Sequence, residues 1–308
     1  MSRTARTLTL AALSILSFAL LAAPASAVWP TGSSGTNIGG GLGSCPWLNS
    51  SSGTGTPPAF EPSGIVWDDF TGALWLVGDE GQIARMQRDG SATSCWTIGA
   101  GVDLESVTVT GTSLKVYVGV EYPPEILEYN SSSTAAPSST ANSWMLPFPA
   151  GTVTASTGME GMTWVPNGDH PYVSSGSGGV FFASSQKNGT IYVFDVDLAS
   201  VHATPVLRGS FTPDSTQTDI SDLYYSPKTK LLYVLYDTAN LLRAIDVSTT
   251  SFTIKATYSL PAGTTDQEGV TVLPTCPAST TNIYLADDQG STAHNVYSFT
   301  NFPQPCVP

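Results

Sequence analysis

Five stretches of this chain repeat one pattern, and a repeat constrains a fold more than any single motif. EPSGIVW (61–67), DLESVTV (103–109), GMEGMTW (158–164), DISDLYY (219–225) and DQEGVTV (266–272) each set a small or acidic pair ahead of a short apolar strand. Their starts lie 42, 55, 61 and 47 residues apart, the span of one four-stranded blade with its loops. A second strand follows each: ALWLVGDE, LKVYVGVE, GVFFASSQ, KLLYVLYD and TNIYLADD. Third strands come next (QIARMQRDG, EILEYN, TIYVFDVDL, LLRAIDV, NVYSFTN), and fourth strands in four repeats (ATSCWTI, SWMLPFP, TPVLRGSFT, FTIKATYSL). Turn residues such as Asn188-Gly189 and Ser226-Pro227 separate them, and no long stretch has helical periodicity.

The pattern predicts an all-β chain: a five-bladed β-propeller of four-stranded antiparallel blades starting near 61, 103, 158, 219 and 266. The fifth repeat lacks a fourth strand. An open blade would expose an unpaired edge, so a strand from residues 28–60 is expected to close the ring. Only SCPWLNS looks strand-like there. Residues 131–142, SSSTAAPSSTAN, read as a flexible loop.

Residues 1–27 have the form of a secretory signal peptide: Arg3 and Arg6, an apolar run from Leu8 to Ala23, and Ala25-Ser26-Ala27 as cleavage site. The domains are therefore 1–27 signal, 28–60 closing segment and 61–308 propeller, in a secreted or periplasmic protein expected to be monomeric and without a membrane span. Cleavage would remove two arginines and no acid, taking the net charge from −13 to −15. Such a chain repels nucleic acid and anionic lipid; cations are its natural partners, with a small-molecule or protein ligand still to be identified. Cys45, Cys95, Cys276 and Cys306 are expected to form two disulfides. Local pairing gives 45–95 and 276–306; a 45–306 bridge is the rival.

In a propeller, the first strand of each blade lines the central channel and the second returns to the same face. Equivalent positions therefore form rings. One ring is Ser63, Glu105, Glu160, Ser221 and Glu268; the other is Glu80, Glu121, Gln186, Asp237 and Asp288. Asp79, Asp103, Asp219, Asp222, Asp266 and Asp287 lie beside them. Converging carboxylates repel unless a cation neutralises them. An all-oxygen donor set without His or Cys suits calcium before magnesium or manganese and argues against zinc. The metal candidates are Glu105, Glu160, Glu268, Glu80, Glu121, Asp237 and Asp288. The competing reading makes these acids solvated strand caps, and the glycines after them (Gly64, Gly161, Gly269) purely conformational, permitting a bulge where the strand enters the channel.

The strings SGIVWD, LWLVGDE, MEGMTWVP, DISDLYYSPKTKLLYVLYD, QEGVTV and IYLADD resemble the SdiA-regulated (YjiK-like) family over roughly residues 60–300. That resemblance implies a five-bladed propeller distantly related to NHL-repeat proteins, with calcium near the channel mouth at Glu105, Glu160 and Glu268 and with Glu80, Glu121, Asp237 and Asp288 beside them. Gln186 stands where an acid is usual. It implies no particular activity. A more local likeness joins EGMTWVP and GVFFASSQKNGTIYVFD (179–195) to calcium-dependent β-propeller phytases, which have six blades where this chain shows five.

Two functions stay open. One is a calcium-binding propeller whose acidic face receives a ligand. The other is a calcium-dependent hydrolase of a phosphoester or lactone, with Glu160 or Glu268 as general base. No G-x-S-x-G elbow, P-loop or dinucleotide fingerprint occurs. His170, His202 and His294 fall in loops, and five of the tryptophans read as packing between blades. Carbohydrate stacking on an exposed Trp29 or Trp47 is a further reading of the remaining two.

Overall fold

Alternation of apolar and polar residues becomes twenty strands in the computed structural model, which describes residues 28–30, 35–45, 60–99, 101–131, 135–172, 176–200, 202–261, 266–288 and 294–305. The signal segment, Trp47 and Cys306 lie outside the described residues. Blade one is β2 (Pro62–Asp68), β3 (Ala73–Gly78), β4 (Gln82–Met86) and β5 (Ser94–Thr97). Blade two is β6 (Leu104–Thr108), β7 (Lys115–Val120), β8 (Glu125–Asn130) and β9 (Ser138–Met145). Blade three is β10 (Met159–Pro166), β11 (Gly179–Ser185), β12 (Thr190–Asp195) and β13 (Val206–Phe211). Blade four is β14 (Ile220–Ser226), β15 (Leu231–Tyr236), β16 (Leu241–Asp246) and β17 (Thr253–Ser259). Blade five is β18 (Gln267–Leu273), β19 (Thr280–Asp288) and β20 (His294–Pro303), with β1 (Thr36–Asn37) outermost.

The expected five-bladed ring is thus present, and an N-terminal strand closes it. The strand that closes it is Thr36–Asn37, while residues 46–50 of SCPWLNS lie outside the described residues. Thr36 and Asn37 pair with Ser298 and Tyr297, and the Ile38 N–H donates to the Val296 carbonyl at 2.7 Å. Two residues are too few to carry a readable alternation. The expected loop at 131–142 is also shorter than its composition suggests, because β9 begins at Ser138 and pairs Ser138 with Asn130. An outermost strand with two wet faces needs no apolar stripe; backbone pairing suffices.

Inner strands β2, β6, β10, β14 and β18 pack in sequence around the axis, and the cores lie between blades. Phe182, Val193, Leu232 and Val234 fill the boundary of blades three and four; Tyr117, Trp144, Phe181 and Phe194 fill that of blades two and three. Trp29 is buried, contrary to the carbohydrate-stacking reading. Its ring lies 5.3 Å from Phe299 and 5.7 Å from Phe302. Cys45 is bonded to Cys95 with Cα atoms 5.2 Å apart, tying the closing segment to the outer strand of blade one. Cys276 is also disulfide-bonded; Cys306, its expected partner, is outside the described residues.

Candidate metal centre

Each inner strand breaks its pairing register at one place. The irregularities fall between Pro62 and Gly64, Leu104 and Ser106, Met159 and Met162, Ile220 and Asp222, and Gln267 and Gly269. The residues inside these bulges include Ser63, Glu105, Glu160, Ser221 and Glu268, the whole of the first ring. A bulge kinks a strand and re-aims a side chain. Four of the five ring residues, Ser63, Glu105, Glu160 and Glu268, line one cavity.

The glycines after the bulged residue have a packing cause. None takes left-handed backbone. A Cβ on Gly161 would sit 2.5 Å from the Leu223 nitrogen and 2.6 Å from the Asp222 carbonyl carbon, and one on Gly64 would sit 2.8 Å from the Glu105 oxygen. At these two positions the backbone of the adjacent inner strand leaves no room for a side chain. Blade four has Asp222 at this position, and its carboxylate bridges the same gap by accepting the Leu223 and Val270 N–H groups, each at 2.7 Å.

Three residues after each glutamate stands a threonine. Thr108, Thr163 and Thr271 accept the backbone N–H of Trp164, Tyr225 and Trp67, each on the next inner strand, at 3.2, 2.9 and 2.9 Å. The E-x-x-T unit therefore supplies an acid to the ring and a clamp to the adjoining blade. Blades one and four, which have serine in the ring, have Val66 and Tyr224 in place of the threonine.

The acids line a cavity of about 350 Å³ formed by Ser63, Asp79, Asp103, Glu105, Glu121, Ser156, Glu160, Gln186, Glu268 and Asp288. Of the seven sequence candidates, Glu105, Glu121, Glu160, Glu268 and Asp288 reach it. Glu80 and Asp237 do not line it; one Asp237 oxygen accepts the Gln267 N–H at 2.9 Å. Asp103 enters more directly than its place beside the ring suggested, since one oxygen each from Asp103, Glu105 and Glu121 lie within 4.8 Å of one another. The D-x-E spacing of 103–105 was its sequence signal. Ser156 comes from the loop before blade three and had none.

No Lys, Arg or His is among the described lining residues, and the carboxyls respond accordingly. Burial, then the Glu160 charge, holds Glu105 well above the usual carboxylate range; burial, then Glu268, does the same to Glu160. Burial, then Asp237 and Asp288, pushes Glu268 up to about 8. Burial and a shared hydrogen bond with Asp103 push Glu121 to about 7, although the Gly158 N–H donates to it at 3.0 Å. Burial, then Glu61 and Asp288, pushes Asp79 to about 7, and its Oδ1 is buried without a hydrogen-bond partner. An uncompensated all-oxygen cup of this kind fits a hard cation.

The family described as Phytase-like, "Esterase-like activity of phytase", matches residues 60–273. This chain belongs to the Phytase-like family. The match runs from the first inner strand to the last, well beyond the 179–195 stretch that first suggested it. The resemblance to the SdiA-regulated family rests on the sequence motifs alone. No curated protein matches the chain. Among solved structures, glutaminyl cyclase of Myxococcus xanthus is 12% identical with a TM-score of 0.53, covering 80% of this chain and 92% of its own. A protein from Lactobacillus plantarum is 14% identical with a TM-score of 0.42, covering 85% and 75%. The first likeness is one of fold alone; the second is too distant to carry an argument.

Proposed function

We propose that this chain is an exported, calcium-dependent member of the Phytase-like family whose acidic cup holds the cation and receives an ester, a phosphoester first among them. The observation that carries the reading is that bulges in three of the five inner strands bring Glu105, Glu160 and Glu268 into one cavity with Asp79, Asp103, Glu121 and Asp288, and with no basic residue among the described lining residues. Asp103, Glu105 and Glu121 would hold the ion, with Glu160, Glu268, Asp288 and Asp79 around it; Glu80 and Asp237 stand behind as outer charges. Bound calcium supplies charge compensation for the cup and Lewis-acid polarisation of an ester oxygen. With no lysine or arginine among the described residues that line the cup, the positive charge that meets a phosphate would come from the bound cation. With the cation compensating the cup, Glu160 and Glu268 would be ionised and able to accept a proton from an attacking water.

Export is supported by the Cys45–Cys95 disulfide and by the signal-like first 27 residues. Among the described residues no helix is long and apolar enough to cross a membrane. The absence of a nucleophile motif favours a second reading, in which the cation only stabilises the ring and the face binds a ligand. Hydrolysis of p-nitrophenyl phosphate and p-nitrophenyl acetate by calcium-loaded protein decides between them. Turnover abolished by EDTA and restored by calcium is expected; calcium-loaded protein no faster than buffer on either ester would leave the binding reading.

A further inference from the structure

Blade five buries a polar row that the other blades do not have. Gln267 on β18 opposes Asp287 on β19, and Asp287 opposes Asn295 on β20. Directly opposed residues share one face of a sheet. The matching pairs in blades one to four are Pro62–Gly78, Leu104–Val120, Met159–Ser185 and Ile220–Tyr236, none of which includes a carboxylate. Asp287 and Gln267 are each 1% exposed. Among the described residues, both carboxylate oxygens of Asp287 and both polar atoms of the Gln267 amide lack a hydrogen-bond partner. Asn295 is already engaged, accepting from Asn37 Nδ2 of the closing strand at 2.7 Å.

Four orphaned polar atoms in one cross-strand pair call for a ligand, because a buried polar group without a partner costs about 1–3 kcal/mol and an unpaired charge more. The sign of that ligand follows from its surroundings. The charges that act on Asp287 are Asp266, Asp288 and Asp237, all acidic. An anion is excluded by these charges, and a neutral ligand would leave the carboxylate uncompensated.

We propose that Asp287 and Gln267 form a second cation site, separate from the central cup, in which the Asp287 carboxylate and the Gln267 amide oxygen take a hard cation such as calcium. Asp287 is absent from the lining of the cup, so the two sites are distinct. The site lies in the one blade assembled from both ends of the chain. A cation held between β18 and β19, next to the Asn295–Asn37 bond, therefore braces the ring at its closure.

Equilibrium dialysis against radioactive calcium tests this on mature protein stripped with EDTA. Wild type is compared with Asp287→Asn, Gln267→Met and the double variant Glu105→Gln/Glu160→Gln, with circular dichroism as the folding control. Asp287→Asn and Gln267→Met are each expected to bind one calcium fewer per chain than wild type while keeping the ion that the double variant loses. The double variant is expected to keep one. Unchanged stoichiometry in folded Asp287→Asn and Gln267→Met overturns the proposal even if the central cup binds calcium. Should neither fold, a double variant that binds no calcium overturns it, and one that retains a single ion supports it. Loss of calcium only in the double variant would leave the proposed function standing and remove the second site.

Discussion

At Gly161 there is no room for a methyl group, because the backbone of Asp222 and Leu223 on the next blade occupies it. Gly161→Ala should therefore cost about 1–3 kcal/mol, the usual range for overpacking, read as a lowered denaturation midpoint at unchanged m-value. A purely conformational glycine with free space beside it would tolerate the change. Glu160→Gln and Glu268→Gln keep the shape of the ring and remove charge from it. Each should weaken calcium binding by about 10-fold or more, the floor set by losses of outer-shell partners. Asp89→Asn is the control, since Asp89 sits in an exposed turn bonded to Ser91. Equal effects at all three positions, measured by calcium titration, would remove the ring from the explanation. At this scale the sequence showed which acids recur at one register. It did not show that Asp237 is engaged with a backbone N–H, which depends on how the end of β15 in blade four meets the start of blade five, or that Asp103 completes a triplet, which depends on how the ends of two strands of blade two turn toward each other.

The inner strand is the element that makes the site. Its bulge turns one side chain to the axis, and three residues later a threonine hydroxyl ties it to the next blade. Removing the Thr163 hydroxyl leaves the Tyr225 N–H buried without an acceptor, so Thr163→Val should destabilise by about 1–3 kcal/mol. The accompanying gain of apolar surface is small, and a neutral result in urea unfolding would mean that the clamp contributes nothing. Strand order and blade count were legible because period-two alternation repeats five times. The bulges were legible only where a glycine follows the ring residue, at Gly64, Gly161 and Gly269; Ser106 and Asp222 stand at the same place in blades two and four and do not mark irregular backbone. The closing strand was illegible for a different reason: two residues hold their place through pairing with β20 and through the Cys45–Cys95 bond nearby, not through a pattern of their own.

Across the whole molecule, four of the five blades bring carboxyls into one cluster that resists ionising together. Asp79 and Glu121 are pushed to about 7 and Glu268 to about 8, against ordinary values of 3.8 for the aspartate and 4.5 for the glutamates. Between those limits the folded chain holds more protons than the unfolded one, so stability of the metal-free protein falls as pH rises from about 4 to 8. A thermal midpoint in EDTA that drops from pH 5 to pH 8 is the expected trend; a rise over that interval would contradict the electrostatics described for the cup. Calcium should reverse the loss by occupying the site once it has ionised. The most direct measurement is the thermal midpoint of mature protein at pH 8, stripped with EDTA and then given calcium, magnesium or zinc. At a hundredfold excess over its dissociation constant a single bound ion adds about 2.7 kcal/mol. At about 2–4 °C per kcal/mol for a chain of this size, calcium should raise the midpoint by roughly 5–10 °C, more than magnesium or zinc. No shift with any of the three ions would contradict the account, leaving the ring of carboxylates as solvated strand caps.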